Sequence, residues 1–466
     1  MSIILGLLAH AAPINYRFPL PTWVYAIGAG LVVLLSAPAA ALAVGRGRPP
    51  RTTRNFYPSI RPFRLGAVGL ALSSLLLVFG IVGGFAAFWN EEARAFLENP
   101  ATVLIWVDFW VGLGLVSALV GNIWDFVSPL SALARRLDAA LARRGTPRRP
   151  YPVWLGQWPA VGLLLVWSWM ELVWSDAKEP QVLVLFLLGY VAFTLAGSAV
   201  WGVETWLANV EIFTVFARTF ARFAPLDFAP SNADEWLRTD PATRVVRLRP
   251  YGAGLREEVR APAGAGAFVV TLLATVVYDG FSRTQYFFDL ENWFLKQSPG
   301  TFQRLLLFLT LFMAVIVVLF VLAFLLTMAV VGHWEDGLAA TASRYAPTLI
   351  PIAAVYFIAH YWTYLLYAGQ ATLSVLVDPL GREWNPWGLG EYALNTTFLS
   401  GAVVWWTQVA LIVVGHVMAV VAAHRVALRR HHRPDTALFV QIPLVFLMVA
   451  YTVVGLWVLA QQLAPE

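Results

Sequence analysis

The sequence predicts an all-α fold, a polytopic transmembrane helical bundle of about ten spans. Three observations carry this expectation. Hydrophobic residues make up 59% of the 466 positions and charged residues 13%, with a mean hydropathy of +0.67. Apolar runs longer than about 18 residues, the length that suggests a membrane-crossing helix, recur from one end of the chain to the other. Basic residues alternate between successive connections. Loops 45–64, 121–150, 203–262, 332–344 and 425–436 carry 25 of the 32 Lys and Arg, whereas loops 90–100, 175–180, 282–302 and 371–397 carry 5. That asymmetry follows the positive-inside rule and puts both termini on the extracytoplasmic face. The expected location is therefore the bacterial cytoplasmic membrane, with the lipid bilayer as partner. The net charge of +5 reads as topology, and no nucleic acid is expected. With no cysteine in the chain, a disulfide framework, a thiolate metal site and a cysteine nucleophile are excluded.

Residues 1–18 read as a stunted leader-like segment. An apolar run, Ile3–Ala9, leads to Ala9-His10-Ala11-Ala12, without a basic region before it and with bulky Leu7 at the −3 position. Residues 19–202 hold spans one to five. The first runs 19–44, with Trp23 and Tyr25 as interfacial anchors. The second runs 65–89, where Gly80 and Gly84 form a small-xxx-small patch suited to close helix packing. Spans three, four and five run 101–120, 153–174 and 181–202, with Asp108 inside the third and Glu171 near the end of the fourth.

Residues 203–262 read as a cytoplasmic module. Glu204, Glu211 and Arg218 recur every seven residues on one helical face, the pattern of an interfacial amphipathic helix over 203–223. Arg244–Arg249 and Leu255–Arg260 are β-prone and predict a small hairpin around Pro250–Gly254. Residues 263–466 hold spans six to ten: 264–281, 304–331, 349–369, 398–423 and 436–460. The seventh is the most uniformly apolar and is expected to face lipid.

Ionisable groups at membrane depth are costly and mark candidate functional sites. Span six ends in Tyr278-Asp279-Gly280-Phe281-Ser282, span eight contains Ile358-Ala359-His360-Tyr361, and span nine contains Gln408 and Gly415-His416. At about 1.5 Å per residue, Asp108, Glu171 and Asp279 lie in the outer halves of their spans. His360 lies near mid-depth and His416 slightly inward. The expectation is an outward-opening polar cavity floored by the two histidines. Two imidazoles and a carboxylate form a common site for zinc, iron, manganese or copper, so His360, His416 and Asp279 are the candidate ligands of a divalent transition metal. His424, His431 and His432 fall at the basic cytoplasmic end, where solvation or lipid headgroups account for them. No Walker A, GxSxG, HExxH or CxxCH motif is present.

These residues carry a resemblance. Ala9-His10-Ala11 followed by Pro19-Leu20-Pro21-Thr22-Trp23, the Tyr278–Ser282 motif, Ala359-His360-Tyr361, Asp378-Pro379-Leu380-Gly381-Arg382-Glu383-Trp384, Gln408 and Gly415-His416 together look like the polytopic bacterial membrane proteins identified as fenitrothion hydrolases. The resemblance spans the chain through short scattered motifs. It implies hydrolysis of an organophosphorus triester by a membrane enzyme, working with a second membrane subunit or as a homo-oligomer. In that reading His360 and His416 are metal ligands. Asp279 is a ligand or positions the attacking water, and Asp108 is a general base or supports the ligands from behind. Two other readings use the same residues. A transporter or channel for a metal ion, proton or small solute makes the buried polar groups a transit site, although no inverted repeat is visible. An accessory subunit makes 203–223 and 244–260 docking surfaces.

Overall fold

The computed structural model describes residues 18–44, 54–56, 62–229, 245–256, 261–297, 302–334, 337–390 and 393–463. His10 and the rest of the leader-like segment lie outside them. Among the described residues nine helices are long and apolar enough to cross a bilayer: Thr22–Leu42, Ala67–Ala86, Pro100–Leu119, Pro180–Trp201, Ala265–Ser282, Phe302–Gly332, Leu338–Val377, Gly401–His431 and Pro434–Gln461. The expected fourth span appears as the shorter apolar helix Trp158–Leu172, of 15 residues. The chain is an all-α, multi-pass helical bundle, as its composition predicts.

Contacts divide the chain into two compact units. The first comprises Met1–Arg51, Gly254–Thr363 and Thr397–Glu466, and the second Thr52–Ala253 and Tyr364–Thr396. In the first unit, the helices Thr22–Val44, Gly401–His431 and Pro434–Leu463 pack on one another. Ala265–Ser282 packs against Phe302–Gly332. Phe302–Gly332 is the expected lipid-facing span, and Leu307, Leu311, Val315, Leu319, Leu322 and Leu326 along it are exposed. Ser400 starts the Gly401–His431 helix by accepting a hydrogen bond from the Val403 amide at 3.4 Å, the usual service of a serine N-cap.

In the second unit, Asn99 caps the third span. Its side chain accepts from the Ala101 amide at 2.8 Å and donates to the carbonyls of Gly83 and Ala93. Pro100 follows at the first helical turn, where a missing N–H costs nothing. Val103–Val111 then winds as a π-helix, with Asp108 inside it.

The 203–223 segment differs from the expected interfacial helix. It breaks at Val210–Glu211 into Val203–Asn209 and Ile212–Ala221. In the second half Ile212 through Ala217, Phe220 and Ala221 are buried. Phe213 packs on Trp167 and Tyr190, and Phe216 on Trp110. The seven-residue charge repeat has a different cause from a wetted face, because each member meets its own partner. Glu204 pairs with Arg135 at 3.2 Å. Glu211 is buried; it caps the new helix through the amides of Phe213 and Thr214 and accepts from the Tyr190 hydroxyl at 2.6 Å. Arg218 pairs with Asp125 at 3.0 Å.

The expected hairpin is also rearranged. Val245–Leu248 (β3) is a strand, but it pairs antiparallel with Leu226–Ala229 (β2) and with Arg54–Phe56 (β1), giving the order β1-β3-β2. Residues 253–256 form a 3₁₀ turn, and 257–260 lie outside the described residues. Arg249 is buried and donates to the carbonyls of Ala221 and Ala224, which ties the end of β3 to the preceding helix.

Asp125 has 1% of its side chain exposed, so its partner matters. Removing Arg218 leaves the buried Asp125 carboxylate with the Asn122 amide as its side-chain donor, at a cost of about 2 kcal/mol. Arg218→Met is expected to lower resistance to unfolding in detergent by about that amount, and adding Asp125→Asn is expected to restore most of the loss. Equal stability of Arg218→Met and wild type would contradict this role.

Candidate functional site

Asp279 lies near the C-terminal end of Ala265–Ser282, fully buried. A carboxylate there needs donors, since a buried charge without them is prohibitively costly. Two come from consecutive residues of the helix Ile350–Ala368. His360 Nε2 lies 2.8 Å from Asp279 Oδ2, and the Tyr361 hydroxyl donates to the same oxygen at 2.8 Å. Arg283, one turn on from Asp279, brings its Nε to 3.7 Å from Oδ1. Because the carboxylate can only accept, the proton of this contact sits on His360 Nε2. The imidazole is held on two further sides. The Tyr361 ring meets it edge-on at 4.6 Å, and the Tyr356 ring lies parallel at 6.4 Å. The His360 and Asp279 side chains are both 0% exposed.

The Gly401–His431 helix closes against this one. Gln408 donates to the carbonyl of Ala359 at 3.1 Å, the residue before His360. Gly415 meets Val355 so closely that an added Cβ would stand 2.2 Å from Val355 Cγ2. Its neighbour His416 is 1% exposed.

The expected three-ligand metal set is not assembled. Among the described residues no group of three or more His, Asp or Glu side chains is placed to hold a metal ion. Asp279 and His360 meet as expected, whereas His416 does not join them. Its Nδ1–H donates to the carbonyl of Ile412, one turn back, at 2.7 Å, which fixes the ring's orientation and leaves Nε2 as an acceptor. Two protein ligands fall short of the three that a catalytic zinc-type centre takes from its protein.

Asp108 belongs to the second unit. It is half-buried and accepts from the Thr372 hydroxyl at 2.6 Å. π-Helical winding is frequent at functional positions, and here it includes Asp108, whose Oδ1 stands beside Gly369, 3.5 Å from where a Cβ would lie. Asp378 serves its own loop. It accepts from the amides of Arg382 and Trp384, while Asn90 donates to the carbonyls of Leu380 and Gly381. Gly381 has φ +62°, a conformation that suits glycine. The motif thus builds a turn. His424, expected to be solvated, is instead 0% exposed and bonded through Nδ1 to Gln441 at 3.2 Å.

Sequence reasoning gave no role to Tyr361, Arg283 or Tyr356. Helical spacing contained the signal for two of them: Arg283 is four residues after Asp279, and Tyr356 four before His360, so each shares a face with its partner. No family model, curated protein or solved structure matches the chain.

The Gly415 contact sets how closely the two histidine-bearing helices approach. Gly415→Ala is expected to reduce stability by about 1–3 kcal/mol through overpacking, and Val355→Ala added to it is expected to relieve the loss. Thermal unfolding in detergent measures both, and an unchanged midpoint for Gly415→Ala would contradict the contact.

Proposed function

We propose that the chain is a membrane-embedded hydrolase of apolar organophosphorus triesters, of the fenitrothion type, with His360 as general base. The observation that carries the proposal is the buried 2.8 Å contact between Asp279 and His360, found at two motifs on which the family resemblance rests. Asp279 fixes the imidazole tautomer with Nδ1 as the base and stabilises the imidazolium once it forms, as the orienting carboxylate does in nucleophile–base–acid triads. Tyr361 and Arg283 hold the carboxylate in place. His360 Nδ1 takes a proton from water as the water oxygen bonds to phosphorus. The aryloxide leaves with the electrons of its P–O bond, and the proton passes from the imidazolium to the departing products. An apolar triester reaches such a site through the bilayer, which fits the full burial of Asp279 and His360.

The expected divalent metal finds no set of three His, Asp or Glu ligands among the described residues, and no step here runs through one. Asp108, bonded to Thr372, has no role in the proton transfer. We also propose, from the arginine asymmetry, that the protein sits in the bacterial cytoplasmic membrane with both termini outside. Association with a second membrane subunit or a second copy follows from the resemblance alone.

Transport is the second reading. What favours it is the complete burial of the pair, since buried ionisable groups line ion and proton routes in membrane proteins. One preparation separates the two. In proteoliposomes, wild type is expected to release the phenol of a nitrophenyl phosphotriester. His360→Gln is expected to cut the rate by about 10²–10⁴, the usual contribution of a general base. Equal hydrolysis by wild type and His360→Gln would overturn the proposal, and ion or solute flux without hydrolysis would favour transport.

A further inference from the structure

The Gly401–His431 helix carries three buried polar side chains at eight-residue intervals: Gln408, His416 and His424, at 4%, 1% and 0% exposure. Each step is about 12 Å along the helix. Each of the three also has a buried atom with no hydrogen-bond partner among the described residues: Gln408 Oε1, His416 Nε2 and His424 Nε2. Two neighbours share the property, Tyr356 Oη and Gln441 Oε1. All five residues belong to the first unit.

The roles of these atoms follow from the bonds their partners make. Gln408 donates from Nε2, so its Oε1 is an acceptor. His416 donates from Nδ1, so its Nε2 is an acceptor. His424 Nδ1 accepts from the Gln441 amide, so its Nε2 is a donor, and Tyr356 Oη is a donor. A buried polar group left without a hydrogen bond is destabilising. These five lie on packed helices of one unit with donors and acceptors mixed, and a small molecule that both donates and accepts satisfies all of them. Lipid tails do neither, and water does both.

We propose that this helix carries a path of internal water leading to the Asp279–His360 pair. Its near end is set by Gln408, which bonds the carbonyl of the residue before His360, and by Tyr356, whose ring lies parallel to that of His360 at 6.4 Å. Its far end is His424 with Gln441, one turn before the basic stretch Arg429-Arg430-His431. A hydrolase with a fully buried base requires delivered water, and the path meets that need. Only this use of the path rests on the hydrolase reading; the water itself follows from the unsatisfied atoms.

The test is ring N–H exchange into D₂O, read by solid-state ¹⁵N NMR of the histidine-labelled full chain in lipid bilayers. His416 is assigned by sequential correlation through Gly415 and Val417, so no variant is required. The ring protons of His416, His424 and His360 are expected to exchange at least about 100-fold faster than the backbone amides of the helices that carry them, which open only with the core. Protection of any of the three rings on the timescale of those amides would overturn the path. Fast ring exchange in a preparation that hydrolyses no triester would sink the hydrolase reading and leave the path standing.

Discussion

One carboxylate sets the conditions for the interior of the first unit. Asp279 is fully buried in a helix meant for a bilayer, where neither lipid nor neighbouring aliphatic side chains offer a hydrogen bond. The local structure answers that demand. His360 and Tyr361 come from adjacent positions of one helix and converge on the same oxygen, and Arg283 stands one turn away on the carboxylate's own helix. The Gly401–His431 helix then seats against the helix of His360 through Gln408 and Gly415. Without these donors the charge could not be kept, and without the charge a histidine in this position would have nothing to fix its tautomer.

The class of fold was legible because its signal is additive. Span length, hydropathy and arginine alternation each sum over many residues and tolerate local irregularity, so the helices fall close to their expected places. What was illegible depends on single contacts. The 203–223 segment shows why. Charges every seven residues look alike whether the face is wet or whether each charge meets a separate partner. Only the fold reveals that Asp125, Arg135 and Tyr190 are those partners. The strand at 245–248 was visible from its β-branched residues, but its pairing with 226–229 and 54–56 is non-local and leaves no periodic trace.

The candidate site divides in the same way. Asp279 and His360 were legible because an ionisable residue in an apolar run stands out, and they meet. His416 stands out as strongly and yet joins no metal-holding group among the described residues, because where separate helices bring their side chains together is a non-local outcome that leaves no trace in sequence spacing. The same blindness applied to His424, where proximity to arginines suggested solvent and Gln441, 17 residues further on, supplies burial and a partner. The Asp378–Gly381 motif was read beside the site residues, whereas its carboxylate is spent on closing its own turn.

The central claim is that Asp279 and His360 act as one unit in hydrolysis. A double-mutant cycle on triester turnover, with Asp279→Asn, His360→Gln and both together, tests it most directly. Residues acting as a unit are strongly non-additive, so the account predicts that the double variant is no slower than His360→Gln alone. Losses that multiply, or turnover that survives His360→Gln, would contradict it.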